Sequence, residues 1–307
     1  MQKTAVLFPG QGAQVVGMGK DWAEASPTAR TIFERANAAL GFDLASICFH
    51  GPESELTKTE NAQPAIFLAG WVAFELLRER VPAFVYDAAA GLSLGEFTAL
   101  TAAGAFSFED GLKLVRARGR FMQEACEATQ GTMAAIIGLE EGATREVCEE
   151  SGVQLANLNC PGQIVISGER SKIAQACELA KSRGAKRALP LAVAGAYHSQ
   201  LMAGAQLKLQ SALAAVPLQP TAIPVISNVT ARPHGPSSEI RALLVDQVTS
   251  PVRWEESIRY LLSEGFTRFI ELGPGTALSG FMKRIDKNAQ SLHIADMASL
   301  ESTVKAL

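Results

Sequence analysis

Short apolar runs alternate along this chain with longer amphipathic ones, and that alternation limits the fold more than any other feature. Thr4–Phe8 and Phe84–Ala90 read as buried strands; Ser26–Leu40, Gln63–Arg80 and Leu94–Ala103 read as helices. Towards the C-terminus Ile223–Ser227, Arg268–Leu272 and Ser291–Ile294 alternate with further helical stretches. Strands separated by helices build a parallel sheet, so the fold class is α/β.

The middle of the chain has a different rhythm. Gly131–Gly138, Val153–Asn159, Gln163–Ser167 and Lys186–Leu191 read as strands, with Glu140–Ser151 and Ser171–Arg183 as helices. The order β-α-β-β-α-β is that of a ferredoxin-like unit. Residues 127–193 are therefore expected to form a small domain inserted into a larger α/β core made of 1–126 and 194–307. A length of 307 residues suits two such units and a core that needs no disulfide or metal staple.

Charge and hydropathy exclude several classes. Lys plus Arg is 28 against 31 Asp plus Glu, a net charge of −3, which argues against nucleic-acid binding. The longest uncharged apolar stretch, Asn61–Phe74, has 14 residues, short of the ~20 that cross a bilayer. The start, MQKTAVLFPGQG, breaks at Pro-Gly too early for a signal-peptide core and reads as a first strand. The five cysteines are widely spaced with no CxxC, so reduced, buried thiols in a cytoplasmic protein are expected.

Gly91-Leu92-Ser93-Leu94-Gly95 fits G-x-S-x-G between an apolar strand and a helix. In that context the serine sits on a sharp strand-to-helix turn, with the N–H of the following Leu94 aimed where an oxyanion forms. Ser93 is the candidate nucleophile, and it needs a base. Of four histidines, His50 and His234 lie beside Gly-Pro turns and read as surface residues. His198, where the small domain returns to the core, is favoured over His293, which sits within a strand.

In the helix that Ser107 caps, Leu114, Val115, Phe121 and Met122 form one apolar stripe, and Arg118 falls in its middle. Lys113, Arg116 and Arg120 lie on the opposite, solvated face. An inward arginine needs an anion, either an internal Asp or Glu or a substrate carboxylate gripped bidentately. Gln11, in the Pro9-Gly10-Gln11-Gly12 loop after the first strand, could offer a second oxyanion N–H. Gly273-Pro274-Gly275 reads as a structural turn.

With those residues in place, the chain resembles the malonyl-CoA:acyl carrier protein transacylases of fatty acid synthesis and the related acyltransferase domains of polyketide synthases. The match runs nearly end to end, through FPGQGAQ (8–14), GLSLGE (91–96), RGRFMQEA (118–125), ANLNCPGQIVISG (156–168), GAYHS (195–199), QVTSPVRW (247–254) and ELGPGTALSG (271–280). The resemblance implies an α/β-hydrolase-like core with a ferredoxin-like insert. It implies that Ser93 carries the acyl ester and that His198 is its base, oriented by a main-chain carbonyl near Gln247. It further implies Arg118 on the malonyl carboxylate, Gln11 and Leu94 as oxyanion donors, and Asn159 in the small-domain wall of the cleft. One departure is Leu92, where the family commonly has histidine in GHSLG; that histidine is not the family's base, so activity is expected to survive. Leu94 and GAYH look like the malonyl rather than the methylmalonyl pattern.

The resemblance also implies malonyl-CoA and acyl carrier protein as partners; the chemistry needs no metal or bound cofactor, and nothing in the sequence demands more than a monomer. Acyl carrier proteins are acidic, so a basic docking surface is expected. Between Glu169 and Arg187 six bases (Arg170, Lys172, Lys181, Arg183, Lys186, Arg187) face two acids. Two rival readings are a serine hydrolase or thioesterase, which would pass the acyl group to water, and a non-catalytic carrier-binding scaffold. A carrier of polyketide synthase or malonate decarboxylase would use the same chemistry.

Overall fold

The computed structural model describes residues 2–307, which form two sheets. The first has five parallel strands: β1 (Lys3–Phe8), β2 (Ala88–Gly91), β7 (Val225–Ile226), β8 (Phe266–Leu272) and β9 (Gln290–Ile294), in the order β7-β2-β1-β8-β9. The central β1 is buried from Thr4 to Phe8, as expected where helices cover both faces of a parallel sheet. The second sheet has four antiparallel strands, β3 (Gly131–Ile137), β4 (Gln154–Cys160), β5 (Gln163–Glu169) and β6 (Arg187–Pro190), in the order β4-β5-β3-β6. Its own core, with Ile136, Val147, Ile166 and Ile173, lies under the helices Glu141–Ser151 and Arg170–Ser182.

The two sheets are tied by backbone. Leu158 N–H donates to Val252 O at 2.9 Å, and Val252 N–H to Ala156 O at 2.8 Å. β4 therefore carries a short parallel bridge to the segment that follows Gln247.

Two local expectations change. Phe84–Ala90 is a strand only from Ala88; Phe84 N–H closes the turn at Pro82–Ala83 on Val81 O at 2.8 Å, Phe84 stacks on Tyr86, and the Asp87 carboxylate accepts from Thr4 N–H at 2.8 Å, so the ladder begins only beyond an irregular segment. The helix predicted over Gln63–Arg80 begins at Thr59, with Pro64 inside it. Proline has no N–H for the carbonyl four residues back. Arg116 supplies the missing donor, its Nη1 binding Glu60 O and, at 2.6 Å, Asn61 Oδ1. Arg116 is therefore half-buried rather than on a solvated face.

All five cysteines are free and buried, and burial pushes the Cys48 and Cys148 thiols up to about 12, where thiolate chemistry is suppressed. No helix of the described residues is long and apolar enough to cross a membrane.

Candidate active site

Ser93 lies between β2 and the helix Leu94–Ala102, with φ 53° and ψ −104°. The flanking glycines are required by contact: a Cβ on Gly91 would fall 1.9 Å from the Gly95 backbone, and one on Gly95 would fall 2.1 Å from Phe8 O. The chain can thus turn hard against β1 and present the serine side chain at the carboxyl end of the sheet. The turn Gly273–Gly275 packs against Pro9 of the neighbouring loop.

His198 also has a positive φ, 57°, and its ring meets the serine: Nε2 is 2.8 Å from Ser93 Oγ. Nδ1 is 2.9 Å from the main-chain oxygen of Gln247. A carbonyl only accepts, so Nδ1 carries the proton and the Nε2 lone pair faces the serine hydroxyl. Burial first, and then the Arg118 charge, hold the imidazole at about 4, so it is neutral at pH 7. The other histidines lie elsewhere. His50 is exposed at a helix end, and His293 sits on the edge strand β9.

His234 corrects an expectation. Its side chain is 0% exposed, and Nε2 lies 2.7 Å from Glu96 Oε1. The flanking Pro-Gly residues mark a turn, but one that points the ring inward, beneath the elbow.

Arg118 is 1% exposed on the helix Phe108–Glu127, as its place in the apolar stripe requires. No Asp or Glu among the described residues touches it. Nη1 donates to Gln63 Oε1 at 2.8 Å; Nη2 donates to Gln247 Oε1 at 2.9 Å and to Ser93 Oγ at 3.1 Å. The guanidinium also lies over the Phe97 ring at 5.4 Å. Burial lowers its pKa to about 10, with the nearby Glu96 charge acting the other way, and it remains a cation at pH 7. A buried cation bonded only to neutral groups is a ready receptor for an anion.

Ser93, His198 and Arg118 line one cavity of about 320 Å³, with Gln11, Asn159, Leu92 and Tyr197 among its other walls. The Gln11 side chain donates to Tyr197 Oη at 3.3 Å, and Thr59 Oγ1 and Tyr197 Oη are 2.6 Å apart. Asn159 reaches the cavity from β4, and its buried Oδ1 has no partner among the described residues. Leu94 opens the helix after the serine with its side chain buried, and its N–H is a first-turn donor. Gln247 does not line the cavity; it braces the residues that do.

Sequence reasoning missed the second layer. Asn228 Oδ1 accepts from Ser93 N–H at 2.6 Å, and its Nδ2 donates to Gly91 O at 2.7 Å. Gln63 and Glu96 were likewise not singled out. Their only signal was polar character inside apolar stretches, Gln63 in NAQPAIFLAG and Glu96 in LGEFTAL.

An α/β-hydrolase-like sheet with an inserted antiparallel sheet, bearing a serine elbow against a histidine and a buried arginine, defines an acyltransferase. The chain belongs to the acyl transferase domain family, whose family model matches residues 6–301. It is 46% identical to the malonyl CoA-acyl carrier protein transacylase of Bacillus subtilis, with 100% of this chain and 98% of that protein covered. It is 40% identical to the transacylase of the same name from Escherichia coli K12, over 93% of each chain. Among solved structures, the malonyl-CoA:acyl carrier protein transacylase of Xanthomonas oryzae superposes with a TM-score of 0.96 at 41% identity, covering 100% of this chain and 98% of that one. A malonyl-transacylase in complex with its type II PKS acyl-carrier protein matches with a TM-score of 0.96 at 37% identity, over 99% of this chain and 100% of that one.

Proposed function

We propose that this chain transfers malonyl from malonyl-CoA to the phosphopantetheine thiol of acyl carrier protein through an ester on Ser93, supplying malonyl-carrier for fatty acid synthesis. The observation that carries the reading is the single hydroxyl, Ser93 Oγ, touched at once by His198 Nε2 at 2.8 Å and Arg118 Nη2 at 3.1 Å. Nucleophile, base and anion receptor thus converge on one atom.

The Ser93 proton passes to His198 Nε2 as Oγ adds to the thioester carbon. The carbonyl electrons move onto oxygen, which the N–H groups of Gln11 and Leu94 receive, each donor worth about 3 kcal/mol of barrier. The C–S bond then breaks, and the thiolate of coenzyme A takes the proton from His198. In the second half the carrier thiol gives its proton to His198 and attacks the ester, and Ser93 recovers the proton. Arg118 pairs with the free carboxylate of malonyl; an acetyl group would leave that buried cation without its anion and is rejected. Asn159 and Gln247 complete the binding set, one as cavity wall and one as brace.

Residues 1–126 and 194–307 serve as the acyltransferase core and 127–193 as the small domain that closes the cleft. The enzyme works in the cytoplasm as a monomer. Incubation with malonyl-CoA and holo-carrier tests the reading: malonyl-carrier forms with wild type and not with Ser93→Ala. Release of free malonate in place of malonyl-carrier would favour a hydrolase.

A further inference from the structure

A fully buried carboxylate lies behind the nucleophile and takes no part in the chemistry above. Glu96 is 0% exposed, and three N–H donors converge on it: Gln247 Nε2 at 2.6 Å, His234 Nε2 at 2.7 Å and Asn228 N at 3.2 Å. His234 Nδ1 is buried without a partner among the described residues. The ring therefore meets the protein's polar groups through Nε2 alone, on the Glu96 carboxylate. Glu96 in turn faces Arg118 across one amide, because Gln247 Nε2 donates to Glu96 while Gln247 Oε1 accepts from Arg118.

Gln247 has no freedom in this arrangement. Its Nε2 is committed to Glu96 and, at 2.9 Å, to Ser93 O. Only its amide oxygen can then meet Arg118, and its main-chain oxygen holds His198 Nδ1. The general base and the anion receptor are thus braced by one glutamine, and that glutamine by one carboxylate.

We propose that Glu96 is a positioning residue with a charge role: through Gln247 it sets both Arg118 and His198, its charge opposing the incoming malonyl carboxylate and favouring the imidazolium that His198 becomes. The inference rests on the malonyl-transfer reading above. Glu96 is not a catalytic residue, since Gln247 and Ser93 stand between it and the substrate. It holds, one residue removed, the counter-charge that a triad carboxylate would supply directly.

The two effects have opposite signs in kinetics, which a purely structural role does not. In Glu96→Gln the shape is kept and the charge is lost. For malonyl-CoA the KM is expected to fall, because Arg118 is freed of its competing anion, while kcat falls about tenfold. For acetyl-CoA, which has no carboxylate, kcat falls alike and KM stays the same. A KM for malonyl-CoA that rises or holds, or an unchanged kcat, would overturn the proposal. If Glu96→Gln does not fold by circular dichroism, NMR on wild type decides: a carboxylate signal for Glu96 by ¹³C is expected at pH 7, and a protonated Glu96 overturns the proposal. Wild type that transfers no malonyl would sink the functional reading alone, since the charge states are read independently of turnover.

Discussion

Arg118 Nη2 donates to Ser93 Oγ at 3.1 Å, so before any substrate arrives the anion receptor already touches the nucleophile. A guanidinium in that position polarises the hydroxyl and shortens the path between the site of carboxylate binding and the site of acyl attack. Removing it affects recognition more than chemistry. Arg118→Ala is expected to lower kcat/KM for malonyl-CoA by about a thousandfold, the scale of a lost buried ion pair, and to raise that for acetyl-CoA, which no longer leaves a buried cation unpaired. Steady-state rates with the two thioesters check this; equal losses on both would place Arg118 in the chemical step instead.

The pH dependence follows from His198. Its folded-state pKa of about 4 lies below the usual imidazole value of 6.5, so the base form persists through the range where a solvated histidine would protonate. The kcat/KM for malonyl-CoA is expected to stay level as pH falls through 6.5 and to drop only as it nears 4. The stability consequence has the same origin. Between those values the unfolded chain binds a proton that the native state refuses, so stability is intact above 6.5 and declines towards 4, by about 3 kcal/mol at full effect. Denaturant unfolding of wild type and His198→Gln across that window should show the slope in the first and its loss in the second.

Asn228 fixes the strained elbow by accepting the Ser93 N–H at 2.6 Å. Asn228→Ala leaves that buried donor unpaired, so a loss of about 1–3 kcal/mol is expected together with a reduced kcat. Thermal unfolding and acylation rate measured on the same preparation test it. Full stability with full activity would mean that the elbow holds without this bond.

The expected carrier-docking surface is narrower than the sequence suggested. Lys172 pairs with Glu169, Lys181 with Glu178, and Arg183 with Glu146 and Glu150. Arg170, Lys186 and Arg187 are exposed and have no ion-pair partner among the described residues, and Lys186 and Arg187 are adjacent. Reversing both charges is expected to raise KM for the carrier and to leave malonyl-enzyme formation from malonyl-CoA unchanged. Unchanged KM would place the dock elsewhere.

What the sequence made legible was local. G-x-S-x-G between a strand and a helix encodes its own turn, and an arginine within an apolar stripe is readable from helical spacing alone. The braces around them are long-range: 135 residues separate Ser93 from Asn228, and 154 separate Ser93 from Gln247. Gln247 holds His198 by its main-chain oxygen, which no side-chain pattern announces. His234 misled because a Pro-Gly setting marks a turn without telling which way the ring points. Phe84–Ala90 misled because aromatic residues suit a packed irregular segment as well as a strand.

The central claim is an acyl-enzyme on Ser93, and intact-protein mass after brief exposure to malonyl-CoA tests it most directly. A malonyl-sized increment is predicted on wild type, mapping by peptide analysis to Ser93, absent from Ser93→Ala, and discharged rapidly by holo-carrier but slowly by water. An unmodified mass in wild type under conditions of turnover, or an adduct that persists in Ser93→Ala, would contradict the account.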